Sequence, residues 1–179
     1  MRTLIAGACG LTFAAAIALA AQMNPNPMQP NPLSKGSSYF HSNESMEKKG
    51  ASLLPEAARK GGFFAEKLET YSGSTTEISV RTASGIAELH QRWQDNFFVV
   101  SGEGTEITGG RIVDPTENAP GEIRGSRVEG GESHLLRKGD VLHIAANTPH
   151  QIILAPGATF VSYVVKVEEP TARLMPAMK

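Results

Sequence analysis

The feature that most limits the fold of this sequence is a succession of short runs rich in Val, Ile, Phe and Thr after residue 71. Examples are TEISVRT, NFFVVSG, DVLHIAA and TFVSYVVKV, and Gly, Pro or Asn separates nearly every run from the next. Many short strands with turn residues between them, and no long helix, indicate an antiparallel sandwich or barrel rather than an α/β fold. The sequence therefore predicts an all-β domain over residues 75–169.

The segments on either side of this domain differ from it in composition. Residues 21–50 are rich in Pro, Asn and Ser and have no periodic apolar pattern, which is typical of a disordered leader. In residues 51–74 apolar side chains recur at near-helical spacing around a pair of glycines, which predicts one or two short helices. Residues 170–179 are left as a C-terminal tail.

Residues 1–20 have the features of a secretory signal peptide. A positive charge at Arg2 precedes an apolar segment, residues 4–19, and the small residues Ala18 and Ala20 suit a cleavage site. A membrane anchor is the alternative, but the segment is short and Ala-rich and no stop-transfer pattern follows it. We therefore expect export to the periplasm or the medium, with no stable membrane span after processing.

Cysteine content and charge restrict the function further. The only cysteine, Cys9, lies within the signal-like segment, so the processed chain would contain no disulfide. Lipidation of Cys9 is the alternative, and it is disfavoured because too few apolar residues precede it. With 17 basic and 18 acidic residues, the chain has a net charge of −1. No basic patch is visible in the sequence, so we expect no nucleic-acid partner.

The stretch GIAELHQRWQDNFFVV places potential metal ligands beside a strand apolar enough for a core. Residues two apart in a strand share a face, so Glu88, His90 and Arg92 are predicted to line one face. A tight connection after them would make the next strand a neighbour and add Asp95 to that face. Carboxylate and imidazole side chains could then converge inside a barrel, as a metal site requires.

This stretch and the later run GDVLHIAANTPH resemble the two sequence motifs of the cupin superfamily. Glu88, His90, Asp95 and Gly102 match the spacing of the first motif. Glu88 stands where the first His usually stands, and Asp95 stands where Glu is usual. His150 has the expected position in the second motif. Both motifs are present in the expected order.

The resemblance covers residues 79–167 and implies a small cupin-type jelly-roll β-barrel, usually dimeric. It also implies a divalent metal, such as Mn, Fe, Ni or Zn, in the barrel lumen. The implied metal ligands are Glu88, His90, Asp95 and His150. In the second motif Ala145 and Asn147 replace Pro and Gly, and Asn tolerates the left-handed conformation that Gly would supply.

Several site residues have more than one interpretation. Glu88 could bind the metal, act as a catalytic base beside it, or pair with Arg92. Asp95 could bind the metal or hydrogen-bond to His90. Arg92 and His143 are candidate substrate-binding residues, Arg92 through its planar fork of donors and His143 because it could face inward. The simpler interpretations are a surface ion pair for Arg92 and a structural role for His143.

The longest gap between predicted strands spans residues 112–132. It contains several Gly, two Pro and alternating charges, which predicts an inserted surface loop. Glu122 and Arg124 in this loop could close over the mouth of the barrel and contact a substrate. A solvated charge pair is the simpler interpretation.

Three function classes remain, because this fold alone does not name a reaction. The first is an exported metal-dependent enzyme, of oxidase, dioxygenase or isomerase type, that acts on a small oxygenated molecule. The second is a non-catalytic module that binds a small ligand such as a sugar, and the third is a degenerate structural barrel. A homodimer is expected, since apolar outer residues such as Phe98 and Val100 would need cover.

Overall fold

The computed structural model describes residues 38–169, and the signal peptide and C-terminal tail inferred from the sequence lie outside them. This part of the chain contains one helix and twelve strands. They are α1 (Asn43–Arg59), β1 (Phe63–Tyr71), β2 (Ser74–Arg81), β3 (Ala87–His90), β4 (Trp93–Thr108), β5 (Arg111–Val113), β6 (Thr116–Ala119), β7 (Glu122–Gly125), β8 (Arg127–Glu129), β9 (Glu132–Arg137), β10 (Val141–Ile144), β11 (His150–Ile153) and β12 (Phe160–Glu168). Among these residues, no helix is both long and apolar enough to cross a membrane.

Ten of the strands form one antiparallel sheet that curls around a cavity. The strand order is β1-β2-β12-β4-β11-β3-β7-β6, with β9 and β10 also paired to β4, while β5 and β8 pair with each other. Strand β4 is 16 residues long and belongs to both halves of the sheet. Its first part pairs with β10 and β12, and its second part pairs with β9 and β11. The all-β prediction is confirmed, and the fold is a jelly-roll barrel of the cupin type.

Strand β4 passes from one half of the sheet to the other at Gly102, the glycine of the first motif. Gly102 has a φ of 81°, in the left-handed region that favours glycine. A Cβ atom at this position would collide with the carbonyl oxygen of Thr159. The pairing of β4 with β12 also shifts register between Val161 and Ser162. This bend therefore depends on a residue without a side chain.

Alternation along β2 and β12 separates an outer apolar face from the inner face. The outer face packs against α1 in a cluster of buried residues: Met46, Ala57, Ile78, Val80, Val100 and Val161. The helix lies close to the sheet, since a Cβ at Gly50 would lie 2.5 Å from Cγ1 of Val161. Val100, predicted to need cover from a second copy, is thus covered by α1, whereas Phe98 remains 42% exposed.

Two segments differ from the prediction made from their sequence. Helix α1 begins at Asn43, within the predicted leader, and residues 63–71 of the predicted helical segment form β1. The helix ends because Gly61 and Gly62 both take positive φ, and Gly62 N donates to the carbonyl of Ala57. The following apolar residues then pair with β2 as a strand.

Candidate metal centre

The candidate site lies in the cavity that the curled sheet encloses. The cavity has a volume of about 50 Å³, which corresponds to about one or two water molecules. Its polar lining includes Glu88, His90, Asp95, Glu106, His150 and Lys166. The enclosed space therefore suits an ion or one small polar group of a larger molecule.

All four predicted ligands line this cavity, and Glu88, His90 and His150 form one compact group within it. Glu88 on β3 and His150 on β11 are directly opposite each other in the sheet. His90 lies two residues beyond Glu88 and so shares its face. One ligand atom from each of the three residues lies within 4.8 Å of the others. Both imidazoles are buried, with 6% and 5% exposure for His90 and His150.

Contacts at Nδ1 orient both imidazole rings. His90 Nδ1 lies 2.6 Å from Oε2 of Glu122, and His150 Nδ1 donates to the carbonyl of Thr148 at 3.0 Å. Because a carbonyl oxygen can only accept, His150 Nδ1 holds the proton and Nε2 has a free lone pair. A carboxylate on Nδ1 orients a metal-binding His in the same way. Each ring therefore presents Nε2 to the cavity.

This donor set fits a divalent transition metal. Two imidazoles and a carboxylate suit several first-row metals, and geometry selects among them. Three protein ligands also leave coordination positions for water or a substrate. Glu88, His90 and His150 are the residues that would hold the ion.

The carboxylate of Glu88 is held in its ionised form. Arg81 Nη2 lies 3.2 Å from its Oε1, and Arg124 Nη2 lies 3.3 Å from its Oε2. Burial alone would raise the pKa of Glu88, but Arg124, His150 and Arg81 lower it below its usual range. A carboxylate with a lowered pKa is a weak base, so this environment favours a ligand role for Glu88 over the catalytic role predicted from the sequence.

Asp95 approaches both imidazoles from β4, but a lysine also holds it. Its Oδ2 lies 3.3 Å from His90 Nε2 and 3.9 Å from His150 Nε2. Its Oδ1 accepts a hydrogen bond from Lys166 Nζ at 2.5 Å. Burial would raise the pKa of Asp95, but His90 and Lys166 together lower it to about 2. The distance of 3.3 Å is shorter than the 3.9 Å between Oε2 of Glu88 and His90 Nε2, so Asp95 lies beside the other three residues while its second oxygen is held by Lys166.

A second buried carboxyl group lines the same cavity. Glu106 on β4 is 2% exposed, and burial raises its pKa to about 8. Within residues 38–169 its Oε1 has no hydrogen-bond partner, and neither does Oγ of Ser162, which also lines the cavity. Glu106 is therefore neutral at pH 7 and can donate a hydrogen bond to a group that enters.

The two predicted substrate-binding residues lie away from the cavity. Arg92 lies between β3 and β4, where the alternation of the strand has ended, and its half-exposed side chain pairs with Glu168. His143 is exposed and contacts Oε1 of Gln94 at 3.1 Å. The register of β10 places Ile144 opposite Asp95, so the neighbouring residue His143 faces outward. The sequence had suggested that His143 could face inward, which would require the opposite register of β10.

The predicted surface loop supplies two residues to the site. Residues 122–125 form β7, which pairs with β3 and places Glu122 opposite His90 and Arg124 opposite Glu88. Glu122 and Arg124 do form the charge pair of the simpler interpretation, with Arg124 Nη2 3.2 Å from Oε2 of Glu122, but their side chains are only 28% and 24% exposed. The pair also contacts His90 and Glu88, so it belongs to the surroundings of the site. The available sequence signal was the run EIRG, in which Glu122 and Arg124 share one face of a strand.

Lys166 and Glu106 were not singled out from the sequence. Each lies in an alternating strand, SYVVKV for Lys166 and GTEIT for Glu106. A charged residue in such a pattern usually marks the solvent face. Here the curled sheet turns that polar face inward.

Comparisons with known proteins give no match to a family model and none to a curated protein. Solved structures to which the chain is similar include the following three. TT1209 from Thermus thermophilus has a TM-score of 0.48 and 14% identity, covering 69% of this chain and 95% of that chain. The Cnp3 cupin domain of Schizosaccharomyces pombe has a TM-score of 0.46 and 7% identity, covering 60% and 65%. DMSP lyase DddQ from Ruegeria pomeroyi has a TM-score of 0.45 and 14% identity, covering 69% and 54%.

The matched region thus spans just under two thirds of the Cnp3 chain and about half of the lyase chain.

Proposed function

We propose that this cupin-type barrel binds one divalent transition metal through Glu88, His90 and His150 and uses it to act on a small oxygenated molecule. The observation that carries the proposal is the convergence of the three ligand atoms within 4.8 Å. The metal would supply Lewis-acid or redox chemistry at an oxygen of the substrate. A reaction of the oxidase, dioxygenase or isomerase type is compatible with that chemistry.

The residues around the ligands support this role. Arg81 and Arg124 keep Glu88 ionised as a ligand, and the Nδ1 contacts hold both imidazoles in place. Glu106, whose pKa is raised to about 8 by burial in the metal-free protein, can donate a hydrogen bond to a substrate oxygen when it is protonated. The cavity of about 50 Å³ admits only part of a molecule, so the reacting group would enter while the remainder stays at the mouth.

We also propose export and self-association. Export rests on the apolar segment of residues 4–19, and cell fractionation would test it. Self-association rests on Phe98 and Val141, which pair directly across β4 and β10 and are 42% and 60% exposed. Analytical ultracentrifugation should give a dimer for the wild type, and Phe98→Ser should shift it towards monomer.

Elemental analysis of the purified chain tests the metal site. We expect about one equivalent of one transition metal in the wild type and less than about a tenth in His90→Ala/His150→Ala, because each substitution removes a ligand. The matched control is His134→Ala/His143→Ala, whose histidines do not line the cavity, and it should retain the metal. A wild type that stays metal-free after incubation with Mn, Fe, Ni and Zn would contradict the proposal.

Turnover assays separate an enzyme from a binding module. The loaded wild type and the loaded control would be incubated with hydroxy acids, diketones and sugar derivatives, with and without air. Product formation that His90→Ala/His150→Ala abolishes supports the enzyme. Binding of a ligand without any product would favour the non-catalytic module instead.

A further inference from the structure

Lys166 contacts the predicted metal ligands from the opposite wall of the cavity. It lies on β12, directly opposite Asp95 of β4 in the sheet, and its side chain is 21% exposed. Its Nζ lies 2.5 Å from Oδ1 of Asp95 and 3.5 Å from Nε2 of His90. The arginines near the site contact Glu88 instead. Lys166 therefore places a positive charge beside an atom that would bind the metal.

This arrangement affects Asp95 in two ways. Its carboxylate already balances the charge of Lys166, so it is not free to neutralise a second cation. Its side chain is only 4% exposed, and pulling it away from Lys166 would leave an ammonium group without its partner in a poorly solvated place, which is costly. The ammonium group also repels a metal ion bound to His90.

We propose that Lys166 holds Asp95 out of the metal's coordination, so that the centre has three protein ligands and a lower affinity than the full set of carboxylates would give. The inference rests on the proposed function, because it concerns the same metal. It follows from the contact that occupies Oδ1 of Asp95 with the ammonium group of Lys166. The open positions left by a three-ligand centre would be available to a substrate.

The alternative is that Oδ2 of Asp95 binds the metal while Oδ1 stays on Lys166. Oδ2 does face both imidazoles, at 3.3 Å and 3.9 Å. The two arrangements differ in what happens when Lys166 and Asp95 are both neutralised. A three-ligand centre loses nothing from its coordination, whereas a four-ligand centre loses a ligand.

The test measures the dissociation constants of Mn²⁺ and Zn²⁺ for the chelator-treated full chain and its variants by titration calorimetry. Lys166→Met should bind at least about tenfold more tightly, because a repelling charge is lost and Asp95 is released. Lys166→Met/Asp95→Asn should return to within about threefold of the wild type, because the pair is removed as a unit. Lys48→Met, on a side chain that is 75% exposed on α1, is the control for loss of a positive charge and should change nothing.

Where the proteins bind metal, two results would overturn the inference. One is a Lys166→Met variant that binds no more tightly than the wild type. The other is a double variant that loses more than about tenfold in affinity, since this would identify Asp95 as a ligand. Far-UV circular dichroism would show whether Lys166→Met folds. If it does not, the affinity of Lys166→Met/Asp95→Asn alone tests the inference, because this variant leaves no unpaired charge.

Failure of the proposed function gives a different pattern. Metal binding by Lys166→Met but not by the wild type would support the role of Lys166 and contradict the proposed function. If neither the wild type nor any variant binds Mn²⁺ or Zn²⁺, both the role of Lys166 and the proposed function are contradicted.

Discussion

On one side of the cavity, His90, Asp95 and Lys166 form a chain of contacts between charged groups, whereas His150 and Glu106 on the other side have no charged hydrogen-bond partner in the described part of the chain. We call these the paired side and the neutral side. On the paired side burial is outweighed by partners, which raise the pKa of His90 and lower that of Asp95. On the neutral side burial lowers the pKa of His150 and raises that of Glu106.

The comparison shows that burial alone does not set the charge of a side chain. In this cavity close partners outweigh burial for His90 and Asp95, whereas burial is the largest effect on His150 and Glu106. His150 is therefore ready to bind a metal, because ligation needs a neutral imidazole. His90 must first release its proton at acidic pH, so metal binding should release protons from the paired side.

The largest expected effect comes from removing the carboxylate that orients His90. Glu122→Gln should weaken Zn²⁺ binding by about 10- to 100-fold, as is usual when a carboxylate behind a ligating His is lost. Titration calorimetry would measure this. Glu132→Gln is the matched control, since the side chain of Glu132 is 79% exposed. Equal affinities for the two variants would contradict the role of Glu122.

The neutral side predicts a pH dependence of stability. The folded pKa of Glu106 is about 8, above the usual value of 4.5, so the folded protein retains a proton that the unfolded chain has lost. This stabilisation is complete below pH 4.5 and disappears as the pH rises through 8. Between pH 6 and 8 the free energy of unfolding of the wild type should fall by about 2 kcal/mol more than that of Glu106→Gln. Urea denaturation of the chelator-treated proteins measures the two free energies of unfolding. Parallel pH profiles for the wild type and Glu106→Gln would contradict the raised pKa of Glu106.

The two histidines should titrate on opposite sides of the usual pKa of 6.5. In chelator-treated protein at pH 6.5, nuclear magnetic resonance should show His90 mostly protonated and His150 mostly neutral. Protonated His90 stabilises the fold below pH 6.5, and this contribution is lost as the pH rises through its folded pKa. Neutral His150 stabilises the fold above pH 6.5, and this contribution is lost as the pH falls. A reversed order would contradict the distinction between the two sides.

The smallest effect concerns the turn that presents His150. Asn147 has a φ of 63°, and its N–H donates to the carbonyl of His90 at 2.7 Å. Asn147→Ala should lower the free energy of unfolding by about 1 kcal/mol, because alanine disfavours this conformation. Asn147→Gly keeps both the conformation and the N–H, and should change it by less than about 0.5 kcal/mol. Urea denaturation would compare the two variants. Equal losses in the free energy of unfolding would mean that the left-handed conformation at residue 147 does not cause the loss.

The sequence predicted those parts of the site that depend on local spacing. Alternation placed Glu88 and His90 on one face of β3, and the tolerance of asparagine for positive φ anticipated Asn147. The first motif also marked Gly102, and the structure bends β4 at this residue. These features depend only on residues that are close together in the chain, so they can be predicted from a single sequence.

The remaining parts depend on pairings between distant strands. Lys166 faces Asp95 only because β12 lies beside β4, and Glu122 reaches His90 only because β7 pairs with β3. The outward orientation of His143 depends on the register of β10. Spacing along the chain does not specify such registers, which is why these three residues were missed or misplaced.

An anomalous difference map from a crystal of the Zn²⁺-loaded chain would show directly whether Glu88, His90 and His150 bind one metal ion. We expect one peak in the cavity, within about 2.0–2.2 Å of a carboxylate oxygen of Glu88 and of Nε2 of both His90 and His150. A map without a peak in the cavity, or with the zinc ion bound by other residues, would contradict it.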